Sequence, residues 1–190
     1  MKYLLLTVAA GMLLYALDDY HAPRLGEATK GDYPGLETAT FGAGCFWSVE
    51  AAFRDVPGVV DTAVGFMGGR LEHPSYEQVC AHRTGHAEVC QVTFDPHRVS
   101  YDQLLEVFWS IHDPTLLNRQ GPDVGDQYRS VIFCRGAAQR QAAQAGRRRA
   151  QPRFSRPIVT QIAPAATFWR AEEYHQRYLE KHGRKSCRIR

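Results

Sequence analysis

Alternation of apolar and polar positions is clearest over residues 86–94, where Asp95-Pro96 ends the run and the pattern predicts a strand. Glu88, Cys90, Val92 and Phe94 share one side of it, so if the apolar three face a core, Glu88 points the same way. Shorter apolar runs predict strands over residues 38–41, 59–66, 128–134 and 158–162. Residues 47–56 have helical spacing after a turn supplied by Gly42 and Gly44. Ser100 with Gln103 makes a capping box, Val99 can staple against Leu104, and Leu104, Leu105, Phe108, Trp109 and Ile111 give a buried helix face that His112-Asp113-Pro114 ends. A polar, arginine-rich helix is expected over 136–151 and a closing helix over 168–181. Residues 70–84 and 115–127 read as loops long enough to be functional. Strands and helices alternate, with one pair of strands adjacent, which predicts a two-layer α/β sandwich with a mixed sheet rather than a doubly wound parallel fold.

A chain of 190 residues can bury a sizeable core as one domain without metals or disulfides. The net charge of +3 is small, and the basic clusters at Arg147-Arg148-Arg149 and from Arg184 to Arg190 lack the interleaved aromatics of a nucleic-acid groove. They read as a charged helix face and a solvated tail, with no nucleic-acid partner. The apolar run 3–17, broken by Asp18-Asp19, has the form of an export-signal core and is short of the roughly 20 residues a membrane span needs. One lysine precedes it and no small-x-small site follows, which leaves an uncleaved anchor open and makes membrane association through 3–17 an alternative. Export to a periplasm or anchoring is the expectation, with a cytoplasmic location as the alternative. Residues 1–17 are thus a leader, 18–37 a linker, and 38–190 the catalytic domain, expected to be monomeric, with a mobile tail over 182–190. Cysteines 45, 80, 90, 134 and 187 form no C-x-x-C pair and there is no His-x-x-x-His, which argues against a structural zinc site; the odd count suits a working thiol.

Gly44-Cys45-Phe46-Trp47, with Glu50 close behind, puts a thiol and two large rings where a strand hands over to a helix. Unpaired N–H groups and the positive end of the helix dipole there stabilise a thiolate. The competing reading is a small buried hydrophobe, the usual state of a cysteine outside a disulfide. Glu88, if desolvated on the core side, would hold a proton near neutral pH; at a wet strand end it would pair with Arg83 or His86 instead. Tyr76, Glu88, Asp123 and Tyr128 can converge on Cys45, with His86 as a rival partner. A carboxylic acid and two phenols suit attack at a sulfoxide sulfur, whose oxygen must gain a proton to leave, better than acyl transfer. Phe46 and Trp47 would hold the substrate's methyl group.

With these residues in view, the chain resembles the A-type peptide methionine sulfoxide reductases. The resemblance runs from about Thr38 to Cys187 through Gly44-Cys45-Phe46-Trp47 with Glu50, Gly65 with Gly68-Gly69, Pro74 with Tyr76, Thr84-Gly85-His86-Ala87-Glu88, Phe94-Asp95-Pro96 and His112-Asp113-Pro114. It continues through Arg119-Gln120-Gly121, Asp123, Gly125 and Gln127 to Tyr128-Arg129-Ser130, then Tyr174-His175-Gln176 with Tyr178-Leu179 and Lys181. It implies a ferredoxin-like core in the sandwich and reduction of the S epimer of methionine sulfoxide, protein-bound and free, as repair of oxidised proteins. It also implies Cys45 as nucleophile forming a sulfenic acid, Glu88 as proton donor, Phe46 and Trp47 as the methyl pocket, and Tyr76 and Tyr128 as donors to the sulfoxide oxygen. Asp123 would order substrate and loop. Cys187 matches the resolving cysteine, its disulfide with Cys45 being reopened by thioredoxin, a similar donor or dithiothreitol, with no cofactor or metal. Arg184, Lys185 and Arg188 would lower its pKa. Cys80, Cys90 and Cys134 carry no catalytic role over and read as structural.

Some positions depart from the family pattern. Phe66-Met67 stands for the usual Tyr-Ala, Pro122 and Asp126 for Asn and Thr, and Ala81-His82 comes after Cys80 in place of a small residue and glycine. No second resolving cysteine follows Cys187, which implies a single relay. Two rivals remain: a thiol hydrolase or transferase pairing Cys45 with His86, and a non-catalytic module that binds Met-rich or oxidised peptides.

Overall fold

The computed structural model describes residues 35–183. The leader (1–17), the linker as far as residue 34, and Cys187 with the rest of 184–190 lie outside the described residues. In chain order the elements are β1 (Glu37–Ala43), α1 (Phe46–Arg54), β2 (Val59–Met67), α2 (Tyr76–Cys80), β3 (Ala87–Phe94), α3 (Tyr101–Ser110), β4 (Arg119–Gln120), β5 (Asp123–Val124), β6 (Ser130–Cys134), α4 (Ala137–Ala150), β7 (Gln161–Pro164), β8 (Trp169–Arg170) and α5 (Tyr178–Lys181). Short 3-10 turns lie at Asp126–Tyr128, Gln151–Arg153 and Glu173–His175.

Six strands form a mixed sheet in the order β7-β6-β1-β3-β2-β8, antiparallel except for the β6–β7 pair. Within it, β1-α1-β2-β3-α3-β6 is a βαββαβ unit with spatial order β6-β1-β3-β2, which is the ferredoxin-like arrangement. Alternate residues explain which face is covered. Phe41 on β1, Cys90, Val92 and Phe94 on β3, and Ile132 on β6 pack under Phe53 of α1, Leu104, Leu105 and Phe108 of α3 and Ala143 of α4. Each buried phenylalanine there contributes about 1.5–3 kcal/mol. Met67, Ala87, Val89, Val131 and Phe133 point to the opposite face and are covered by Ala165 and Phe168. The arginine-rich helix and the segment after it are laced to α3 and its exit, Arg149 of α4 to Asp102 at 2.6 Å, and beyond α4 Arg153 to Glu106 at 2.9 Å and Arg156 to Asp113 at 3.0 Å. All three pairs are exposed and each is worth about 0–1 kcal/mol.

The structure departs from the expected elements at five places, two of them the β4–β5 hairpin within the loop expected over 115–127 and the start of β6 at Ser130 rather than Tyr128. Residues 70–84 are not all loop: Ser75 and Gln78 form a second capping box that starts α2. The strand expected over 158–162 begins only at Gln161, because the N–H groups of Ile158 and Val159 are taken by Gln151 Oε1 and Pro114 O. The closing helix over 168–181 is instead β8, a 3-10 turn and the single turn of α5. Tertiary bonds break it: Gln176 Oε1 accepts from Val64 N–H at 2.9 Å, and Arg177, at φ 52, gives its N–H to Glu50 Oε2 at 2.7 Å.

Candidate active site

β1 ends at Ala43, and the turn to α1 runs through Gly44 at φ +92, where an added Cβ would lie 2.7 Å from the Gln120 Cβ. Glycine alone allows both that backbone and that approach. Cys45 comes next as the residue flanking the start of α1, half-buried, its carbonyl accepting from Ser48 N–H at 3.1 Å. Its side chain thus stands at the amino end of a helix, where partial positive charge favours the thiolate.

The first N–H of that helix, on Phe46, donates to Glu88 Oε2 at 3.0 Å. Register on β3 explains how Glu88 gets there: it lies opposite Phe66 on β2 and two residues before Cys90, on the face that carries the helices. Glu88 is 1% exposed, and its other oxygen, Oε1, is buried with no hydrogen-bond partner. Burial pushes this carboxyl up to about 8, the Phe46 N–H pulls it down, and the charge of Asp123 adds to the rise. At neutral pH this favours the protonated carboxyl, with Oε2 accepting from Phe46 N–H and Oε1 left as the oxygen for the proton.

The other predicted groups gather around it. Tyr76, first residue of α2, has its ring centroid 6.3 Å from that of Phe46. Its phenol is pushed up by burial first, then by Cys80, Glu88 and Tyr128. Tyr128, at the end of a 3-10 turn rather than in β6, is pushed up by burial and by Glu88, Cys80, Asp123 and Cys45. Asp123 sits on the β4–β5 hairpin, its carboxyl raised by burial. Both phenols stay protonated, so the cluster offers O–H donors. Cys80, read from the sequence as structural, interacts with the Tyr76 phenol and so lies beside the site, whereas Cys90 and Cys134 are buried in the core.

Phe46 and Trp47 form an aromatic box with Phe66, Tyr76 and His175: Phe46 lies 5.9 Å from Phe66 and 5.2 Å from His175 by ring centroid. Trp47 stacks on Tyr178 at 3.8 Å and donates its Nε1–H to His175 Nδ1 at 3.1 Å. His175 appeared in the sequence only inside Tyr174-His175-Gln176; no periodicity marks it as a partner of Trp47, 128 residues away. Glu50 is also buried, but it accepts from Thr62 Oγ1 and Arg177 N–H and serves as an anchor for the C-terminal segment.

His86 does not partner Cys45. Its Nδ1 accepts from Gly69 N–H at 3.0 Å and its Nε2–H donates to Leu71 O at 2.8 Å, so both ring nitrogens pin the loop before α2. This engagement argues against the dyad of Cys45 with His86. Among the described residues no group of three or more His, Cys, Asp or Glu is placed to hold a metal ion.

Comparison with known proteins points the same way as this geometry. Residues 37–190 match the family described as peptide methionine sulfoxide reductase. Over 160 residues the chain is 64% identical to the peptide methionine sulfoxide reductase MsrA of Geobacter sulfurreducens, covering 83% of this chain and 99% of that protein. Methionine sulfoxide reductase A of Corynebacterium diphtheriae superposes with a TM-score of 0.78 at 38% identity, over 83% of this chain and 80% of its own. Mxr1 of Saccharomyces cerevisiae in reduced form gives a TM-score of 0.77 at 37% identity, over 81% and 90%. The same yeast protein in complex with Trx2 gives 0.58 at 25%, over 80% and 91%. The match spans the whole of the α/β domain and the site built on it, and this chain belongs to the peptide methionine sulfoxide reductase family.

Proposed function

We propose that Cys45 is the nucleophile that reduces the S epimer of methionine sulfoxide, with Glu88 as the acid. The observation that carries this reading is the Glu88 carboxyl, buried, protonated at neutral pH and holding one oxygen without a partner beside the helix start that carries Cys45. The Cys45 thiolate attacks the sulfoxide sulfur while Glu88 Oε1 gives its proton to the oxygen. The attack forms a bond between Cys45 Sγ and the substrate sulfur; that bond and the substrate's S–O bond break as the hydroxyl passes to Cys45, which leaves methionine and a cysteine sulfenic acid, two electrons having moved from Cys45 to the substrate sulfur. Phe46 and Trp47 enclose the methyl group, the Tyr76 and Tyr128 hydroxyls donate to the sulfoxide oxygen, and Asp123 orders the hairpin over the substrate.

Cys187 then attacks the sulfenic sulfur, releasing water and forming the Cys45–Cys187 disulfide, which a thioredoxin dithiol reduces by exchange. The yeast relative's complex with Trx2 supports that choice of electron donor.

Turnover of the separated S and R epimers of a blocked methionine sulfoxide tests the scheme, first with dithiothreitol and then with thioredoxin. Wild type reduces the S epimer alone, Cys45→Ser reduces neither, and Cys187→Ser works with dithiothreitol but not with thioredoxin. A folded Cys45→Ser that still turns over would remove the nucleophile assignment.

A further inference from the structure

His175 takes no part in the chemistry above, yet it is 1% exposed and touches both walls of the pocket. Its ring centroid lies 5.6 Å from that of Trp47 and 4.4 Å from that of Tyr76. Because Nδ1 accepts from the Trp47 indole, the ring proton sits on Nε2, and that nitrogen is buried with no hydrogen-bond partner. Glu172 Oε2, likewise buried and unpartnered, lies 4.0 Å away. That distance is within ion-pair range and longer than a hydrogen bond. The other oxygen of the same carboxylate, Oε1, accepts from Tyr76 N–H at 3.1 Å. One carboxylate–imidazole pair therefore reaches the indole on one side of the pocket and the start of α2 on the other.

We propose that His175, held by Glu172, is a positioning residue that fixes the Trp47 indole and so sets how tightly the pocket selects a methyl group over a larger alkyl. The proposal rests on the reading of Phe46 and Trp47 as the methyl pocket. A Trp47 side chain with its Nε1–H bonded to His175 and its face stacked on Tyr178 has one orientation. Remove the acceptor and the indole gains freedom to rotate about its side-chain bonds, which loosens the wall without touching Cys45 or Glu88.

The arrangement also gives the pocket a pH response. Burial pushes His175 below the ordinary histidine value, while the charges of Glu172 and of Glu77 on α2 pull it up. The remaining titratable groups around its ring are the phenols of Tyr76 and Tyr174, and the Tyr178 phenol lies on the far face of the indole. At neutral pH the ring is uncharged and Nδ1 accepts; once protonated, Nδ1 carries a hydrogen and cannot accept from the indole.

The test compares kcat/KM for the S-sulfoxides of blocked methionine and blocked ethionine in wild type, His175→Phe, His175→Asn and Glu172→Gln. His175→Phe keeps the packing and loses the acceptor, and it should raise KM for the methyl substrate about tenfold while kcat changes less, the equivalent of one lost buried hydrogen bond. The methyl-over-ethyl ratio should fall with it, and His175→Asn, whose Oδ1 lies near the place of Nδ1, should restore both. In a Trp47→Phe background His175→Phe should add nothing further. In wild type the ratio should fall as the pH drops below the usual histidine range, and Glu172→Gln should move that fall to lower pH. The ratio is unaffected by the titration of Cys45, which both substrates share.

An unchanged ratio in folded His175→Phe, or an equal effect of that change with and without Trp47, overturns the proposal. If His175→Phe does not fold, hydrogen exchange of the Trp47 indole N–H in wild type decides: slow exchange at neutral pH that accelerates on acidification supports the bond, and fast, pH-independent protection loss overturns it. Failure of the underlying reading looks different, since wild type would then reduce neither epimer or Cys45→Ser would stay active.

Discussion

Ser75-Tyr76-Glu77-Gln78 and Ser100-Tyr101-Asp102-Gln103 are nearly the same tetrapeptide, and they fold to the same capping box. The serine Oγ accepts from the glutamine N–H at 3.3 Å in both, and the glutamine Oε1 accepts from the serine N–H at 2.9 Å in the first and 2.8 Å in the second. Each box delivers a tyrosine as the first helical residue, and each tyrosine lies against a cysteine, Cys80 or Cys134. The residues behind the two boxes set them apart. After Tyr101 come Leu104, Leu105, Phe108 and Trp109, all buried, and α3 runs to Ser110. After Tyr76 only Val79 is buried, α2 stops at Cys80, and His82 turns the chain at φ 58. Tyr101 thus belongs to the core beside Phe41, and Tyr76 to the site beside Phe46 and Glu88. A cap decides where a helix begins; the apolar stripe behind it decides what its first residue meets.

Substitutions in the two helices should therefore fail in different ways. Phe108→Ala in α3 should cost about 3–5 kcal/mol of stability, against about 2 kcal/mol for Val79→Ala in α2, as read by denaturant unfolding. The reverse order would show that α2 carries core load. On the side of α2 the large effect is catalytic: Glu88→Gln should lower kcat by a factor of about 100 to 10,000 with the fold intact. Wild-type turnover should also fall as pH rises through about 8, where Glu88 gives up its proton, and Glu88→Gln should lack that limb. The same raised value bears on stability. Between the ordinary carboxylate value of 4.5 and about 8 the folded chain holds a proton that the unfolded chain has released, so stability declines as pH rises through that window, and Glu88→Gln flattens the decline.

Smaller effects separate the two tyrosines and the two caps. Tyr76→Phe should lower kcat/KM about ten- to a hundredfold by removing one donor to the sulfoxide oxygen, whereas Tyr101→Phe should leave kcat/KM unchanged. Last come the caps, each worth about 1 kcal/mol: Ser100→Ala should show as a lower Tm, and Ser75→Ala as a lower kcat/KM with little change in Tm.

The range of the forces involved decides how much of this was legible in the chain. The β3 strand, with Glu88 on its helix-facing side, was readable because alternation is a local property. So was α3, whose box precedes a long apolar stripe. The box at Ser75 has the same serine and glutamine but escapes a reading by pattern, because two residues, Val79 and Cys80, are too short a stripe to announce a helix. The false helix over 168–181 has the opposite cause. Its spacing is helical, but contacts with Val64 and Glu50, more than 100 residues away in sequence, hold its backbone open. His175 was invisible as a partner for the same reason, while Cys45, Phe46, Trp47, Glu88, Tyr76, Asp123 and Tyr128 could be named as candidates because their residue types suggest a chemistry.

Gln176 serves the sheet rather than the pocket. Its side-chain amide gives Nε2–H to Val64 O at 2.9 Å and to Ala171 O at 2.8 Å, and takes Val64 N–H through Oε1 at 2.9 Å. A single side chain thereby does what a neighbouring strand would do along the outer side of β2, beyond the two residues of β8. Without it, the Val64 N–H would lose its partner on the outer side of β2, and an unpaired strand edge is the usual entry point for intermolecular pairing. For a member of a family that reduces methionine sulfoxide in peptides, closing this position leaves one place fewer where an extended peptide could pair with the sheet instead of entering the pocket.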